Sequence, residues 1–95
     1  QALDRPVNYS LVRILPGDPN KQSLKDRGLT FEMIMEAIDN GGLLDVQPDR
    51  AHPGQVVLAV KIAGYVHAVP CEFRGPDLRM ITAFPSRKLH KIYHR

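Results

Sequence analysis

The sequence contains no tryptophan and a single cysteine, Cys71, among 95 residues. One cysteine excludes an internal disulfide and cannot by itself hold zinc, so Cys71, in an apolar stretch, is expected to be a small buried hydrophobe in a reducing compartment. No HxH, HExxH or paired-cysteine pattern occurs, and no metal or other cofactor is expected. A glycine-rich phosphate loop, a GxSxG elbow and a paired-carboxylate arrangement are all missing, which removes the common nucleotide-loop and nucleophile-elbow classes. The longest apolar run, Val56-Val57-Leu58-Ala59-Val60, stops at Lys61, far short of a membrane span. No signal-peptide pattern opens the chain, and no repeat or low-complexity segment is visible. The expectation is a soluble cytoplasmic protein with no membrane partner.

Acid is scarce at one end only. From Arg74 to Arg95 stand six cations (Arg74, Arg79, Arg87, Lys88, Lys91, Arg95) against Asp77 alone, a net +5. The whole chain carries +3, so residues 1–73 carry −2. A cation cluster at the exit of an apolar strand suits a polyanion, and nucleic acid is the first partner to consider. Apolar content of 43% and charged content of 24% are globular values, and 95 residues suffice for one core, so residues 1–95 are expected to form a single domain.

Residues 1–8 lack periodicity and are expected to form an extended arm. Tyr9–Leu15 is a candidate strand closed by Pro16-Gly17, and Asn20–Arg27 a short helix ended by Gly28. Thr30 is placed to cap a second helix, on which Phe31, Ile34, Met35 and Ile38 recur at i, i+3, i+4 and i+7 before Asn40-Gly41-Gly42 stops it. Leu43–Val46 reads as a strand and Gln47–Gly54 as a loop. Gln55–Ile62 and Tyr65–Phe73 read as a hairpin turning at Ala63-Gly64, with Pro70 implying an edge or a bulge. Leu78–Phe84 is the last strand, and Ser86 caps a terminal helix striped by Leu89, Ile92 and Tyr93. Helices ahead of hairpin-linked strands give an α+β fold: a small antiparallel sheet, two N-terminal helices and a short C-terminal helix.

Several of these stretches, in their order, resemble the BrnT-like toxins. Arg27-Gly28 followed by Leu29-Thr30-Phe31-Glu32 is similar to that family's "RG-hydrophobic-[ST]-F-E" signature. Gly54-Gln55, the strand Val56–Ile62, Tyr65-Val66, Val69-Pro70, Met80-Ile81, Pro85-Ser86-Arg87-Lys88 and the terminal Tyr93 continue the resemblance across roughly residues 18–95. Two departures stand out. His90-Lys91 replaces the family's acid–base "E-R" step, and Gln55 stands where a basic residue is expected. The resemblance implies a RelE/BrnT-like fold of the RelE/ParE superfamily and a toxin of a type II toxin–antitoxin pair. It further implies metal-independent endoribonuclease activity, neutralisation by a bound antitoxin, and an oligomer formed through that antitoxin.

Such a ribonuclease drives the 2′-hydroxyl onto its own phosphate and needs a base, an acid and cations around phosphorus. Arginine suits the last task because its planar fork meets two phosphate oxygens. Arg79 and Arg87, an even number of residues apart, share a face if the strand stays regular through Pro85, and are the expected phosphate clamp. Lys88, His67 and Tyr93 are candidates for proton transfer, with Tyr93 acting as a base if its pKa is depressed. Arg74, Lys61, Lys91 and His52 are candidate RNA contacts. Several have a plainer alternative: Lys88, Lys91 and Arg95 as a solvated helix face, Tyr93 as packing, His67 as a structural histidine, and His52 as a loop residue. The rival function is a non-catalytic RNA- or protein-binding module of the same fold. A DNA-binding regulator is set aside because the second helix carries Glu32, Glu36 and Asp39 and no cation. The edges of so small a sheet are expected to offer pairing surfaces to an antitoxin.

Overall fold

A computed structural model describes residues 13–17, Leu24 and 27–93. The expected arm, most of the strand Tyr9–Leu15 and nearly all of the helix Asn20–Arg27 lie outside the described residues. The remainder is α+β. In chain order it runs β1 (Ile14–Leu15), α1 (Phe31–Ala37), β2 (Leu43–Pro48), β3 (Gln55–Ile62), β4 (Tyr65–Arg74), β5 (Asp77–Met80), β6 (Phe84–Pro85) and α2 (Arg87–Tyr93). The sheet order is β1-β5-β4-β3-β2, with β6 also paired to β4. It is antiparallel except where β1 lies parallel to β5, with Ile14 opposite Leu78. The sheet is therefore mixed, not wholly antiparallel as the hairpin pattern implied.

α1 begins where its cap chemistry dictates. Thr30 is extended and its hydroxyl accepts the Met33 amide at 3.1 Å. From Ile38 to Gly42 the helix widens by one turn, and the chain leaves it at Gly41 with φ +87°. Gly42 then passes close to two carbonyls. A Cβ there would sit 2.6 Å from the Ala37 oxygen and 2.8 Å from that of Lys61, so α1 can join β2 only through a glycine. The β3–β4 hairpin turns tightly at Ala63-Gly64, both with positive φ, the geometry whose twist matches paired strands.

Paired residues share a face of a sheet, and successive residues alternate. One face carries Leu58 and Val60 of β3, Val69 and Cys71 of β4, and Leu78 and Met80 of β5, sealed by Ile34 of α1 and by Leu29. Cys71 is buried here, and burial pushes its thiol up to about 12, so it packs as an unreactive hydrophobe. The opposite face carries Ala59, Val66 and Ala68 under Leu89 of α2, with Val57 and Tyr93 alongside. Both faces of the hairpin are thus covered, which explains its nearly unbroken burial.

Two departures from regularity shape the second face. Pro70 lies in the central strand β4, not at an edge. Its carbonyl accepts the Ile81 amide at 2.8 Å, so its ring nitrogen faces the same side, where the neighbouring strand is interrupted between β5 and β6 and needs no donor. The interruption is a bulge: Met80 pairs with Cys71 but Phe84 with Ala68, four steps on one strand against three on the other. One extra residue inverts the alternation, so Ala83 turns into the first core while Phe84 emerges on the opposite face. The expected single strand Leu78–Phe84 is therefore two short ones.

Candidate functional site

α2 covers only part of the second face. Leu89 packs on Ala59, Val66 and Ala68 toward the β3–β4 turn, and Tyr93, one helical turn on, reaches Val57 and β2. The half nearer the β4–β5 turn stays open. It is paved by Gln47, Gln55, Pro70, Glu72 and Arg79, all half-buried, on one face because Gln47 pairs with Val57, Val57 with Pro70, Gln55 with Glu72 and Glu72 with Arg79.

Arg79 lies on this open half, but not free. Glu72 stands 3.7 Å from it and also pairs with Arg74 at 3.2 Å. Arg87 is elsewhere. The bulge cancels the even spacing that aligned it with Arg79, and as the first residue of α2 it stands two positions before Leu89, about 200° round the helix from the residue that faces the sheet. It is exposed, and the two-arginine clamp is not assembled. Ser86 caps α2 through its hydroxyl, which accepts the Leu89 amide at 3.2 Å.

Tyr93 is held in place. Its hydroxyl donates to Asp45 Oδ2, and it accepts from Gln47 Nε2 at 2.9 Å, while the same amide donates to Asp45 at 3.1 Å. The hydrogen bond to the carboxylate pushes the Tyr93 pKa up, and that bond, with help from Gln47, holds Asp45 below its ordinary value. A raised phenol is the reverse of the depressed one that a base requires, so Tyr93 is a fastener for α2. The expectation of Tyr93 as a base does not fit this bonding.

His67 faces the first core. It is 9% exposed, with Nδ1 2.9 Å from the Tyr65 carbonyl oxygen and its ring edge-on to Tyr65. His67 is packed inward among these neighbours. His90 stacks on Tyr65 with ring centres 4.0 Å apart and accepts the Val66 amide at Nδ1; it tacks α2 to the start of β4.

The remaining cations are dispersed. Arg74 is paired at the β4–β5 turn, Lys61 stands near the opposite end of the sheet, and Lys91 is exposed on the outer side of α2. His52, exposed in the β2–β3 loop, bonds to Asp49 at 3.1 Å. They do not form one surface. Lys88 differs: with Arg50, Gln47 and Pro48 it lines an open concavity of about 500 Å³ at the margin of the open half. Among the described residues, neither Lys88 nor Arg50 has an ion-pair partner, whereas Arg13, Arg74 and Arg79 all have one. No three His, Cys, Asp or Glu side chains gather as metal ligands among the described residues.

Sequence reasoning missed Asp45, Gln47 and Arg50. The Asp45-x-Gln47 spacing places both on one strand face, a signal masked by the loop-like composition that begins at Gln47. The edge of β2 presents acceptors and few donors. Asp49 donates toward β3, so Val46 and Pro48 face outward; Asp45 Oδ1 takes the Val46 amide at 2.8 Å, and proline has none. Between Asp45 and Pro48 the edge offers no free donor.

No family model matches the chain, and no curated protein or solved structure is significantly similar to it. None of the helices described is long and apolar enough to cross a membrane.

Proposed function

We propose that this chain is the toxin of a type II toxin–antitoxin pair, a small endoribonuclease that binds single-stranded RNA on the open half of its second sheet face and cuts it without a metal. One observation carries the reading: a half-covered sheet face holding Arg79, with the unpaired Lys88 and Arg50 at its margin. The resemblance to BrnT-like toxins supplies the reaction. The 2′-oxygen attacks the adjacent phosphorus, its proton passes to a base, the P–O5′ bond breaks, and the 5′-oxygen takes up a proton, leaving a 2′,3′-cyclic phosphate. Arg79 offers its fork to the phosphate oxygens once RNA displaces Glu72, and Lys88, at the margin of the same face, serves proton transfer. An antitoxin would cover the same face, offering carboxylates to these cations, and toxin and antitoxin would assemble together.

The second reading, a non-catalytic binding module of the same fold, draws on a specific set of observations. Glu72 neutralises Arg79, the Tyr93 hydroxyl is occupied by Asp45, and His67 is buried. The test is cleavage of a single-stranded RNA in EDTA by the wild type and by Arg79→Ala and Lys88→Ala variants. The toxin reading expects cyclic-phosphate products in EDTA, with both variants binding RNA and cutting it at least tenfold more slowly. Binding without cleavage by the wild type selects the module, and cleavage abolished by EDTA removes the metal-free mechanism.

A further inference from the structure

We propose that the concavity between Gln47, Pro48, Arg50 and Lys88 is a ribonucleotide subsite, in which Arg50 and Lys88 take one phosphate and Gln47 accepts a hydrogen bond from the neighbouring 2′-hydroxyl. The assignment deepens the RNA reading above and rests on it.

Charge is the first support. The cations of the β4–β5 end are matched by Glu72 and Asp77, so a phosphate arriving there must displace a carboxylate. Arg50, from the β2–β3 loop, and Lys88, from α2, bound one concavity with no acidic side chain in its lining. Two cations carried by different elements and left without carboxylate partners present unspent charge to an anion.

The amide of Gln47 is the second. Asp45 is acceptor-only when ionised, and the low pKa of its carboxyl keeps it so, which fixes Nε2 toward it. That nitrogen meets Asp45 Oδ2 and the Tyr93 hydroxyl in nearly the same direction and is anchored to both. The remaining polar atom, Oε1, has no donor among the described residues, and it can only accept. A 2′-hydroxyl donates; deoxyribose has nothing to offer at that position. The 2′-hydroxyl is the group by which proteins tell RNA from DNA, and Gln47 is held ready for it by two partners that are themselves fixed.

The test compares one short single-stranded sequence as RNA and as DNA, with binding read by stopped-flow anisotropy before any strand is cut. The wild type is expected to favour RNA. The Arg50→Ala/Lys88→Ala double variant should weaken both strands about fourfold near 0.15 M salt and lower the salt slope by about 0.7, the value of one single-strand phosphate contact, with each single variant giving part of that loss. Gln47→Met should remove the preference for RNA while leaving DNA binding in place. Tyr93→Phe, which loosens the amide but keeps Oε1, should retain most of that preference; loss of preference equal to that of Gln47→Met would show that packing, not the acceptor, discriminates, and would overturn the role of Gln47. If the Arg50→Ala/Lys88→Ala double variant binds RNA as the wild type does, the subsite is wrong and the RNA reading survives. Failure of the wild type to bind either strand overturns both. Competition by a micromolar ribonucleoside monophosphate would replace the strand site with one for free nucleotides.

Discussion

The hydroxyl of Tyr93, on the last helix, donates a hydrogen bond to the carboxylate of Asp45, 48 residues earlier on β2. That bond and its Gln47 bridge fasten α2 across the second face of the sheet at the end farther from Leu89. Everything proposed for the open half of that face depends on α2 lying where this bond puts it.

The fastening should fail at both extremes of pH. Asp45 is held below its ordinary value, so its contribution is complete above about pH 4 and is lost as pH falls through the lower folded value. Tyr93 is raised, so its contribution is complete below about pH 10 and is lost as pH climbs through the higher folded value. Tyr93→Phe should lower the melting temperature at pH 7 and flatten the alkaline limb of the stability profile. In Asp45→Asn, ultraviolet titration should find the Tyr93 phenol shifted back toward its ordinary pKa. A Tyr93 pKa unchanged by that substitution would show that the bond does not form in solution.

The hairpin turn stores removable strain. Ala63 has φ +52°, a conformation that glycine or asparagine adopts more readily. Ala63→Gly should raise stability by about 0.5–1 kcal/mol, with Ala63→Asn next, as measured by urea unfolding. A loss of stability in both variants would place the turn in another geometry.

The first core and its cap should respond on separate scales. Ile34 is fully buried at the centre of the helix-covered face, so Ile34→Ala should cost about 2–5 kcal/mol. Thr30→Ala removes only the acceptor of the Met33 amide and should cost about 1 kcal/mol. Equal losses in chemical denaturation would contradict this division between packing and capping.

Glu72 is predicted to restrain RNA binding. It contacts both Arg74 and Arg79 at the surface, where such pairs contribute only about 0–1 kcal/mol to folding. Glu72→Gln should therefore leave the melting curve nearly unchanged while raising RNA affinity about fourfold for each phosphate contact released. Unaltered affinity would mean that RNA does not use these arginines.

Local chemistry was legible where neighbouring residues decide it. Thr30 and Ser86 cap their helices because a side-chain oxygen three residues from a free amide needs no distant partner. The hairpin at Ala63-Gly64 and the burial of Cys71 were legible for the same reason, since turn chemistry and apolar runs are local. The Arg79–Arg87 clamp was not. It assumed an unbroken strand, and a single extra residue between Met80 and Phe84 reversed the alternation on which it relied.

The sequence by itself determined the α+β class, the capped helices and the concentration of cations toward the C-terminus, because propensity, capping and composition act over a few residues. Only the tertiary structure decided which cations are cancelled by carboxylates, that Tyr93 answers to Asp45, and that Arg50 and Lys88 share one concavity with Gln47. Those relations join residues some forty positions apart, and they arise from strand register and from the crossing of α2, which no local pattern encodes.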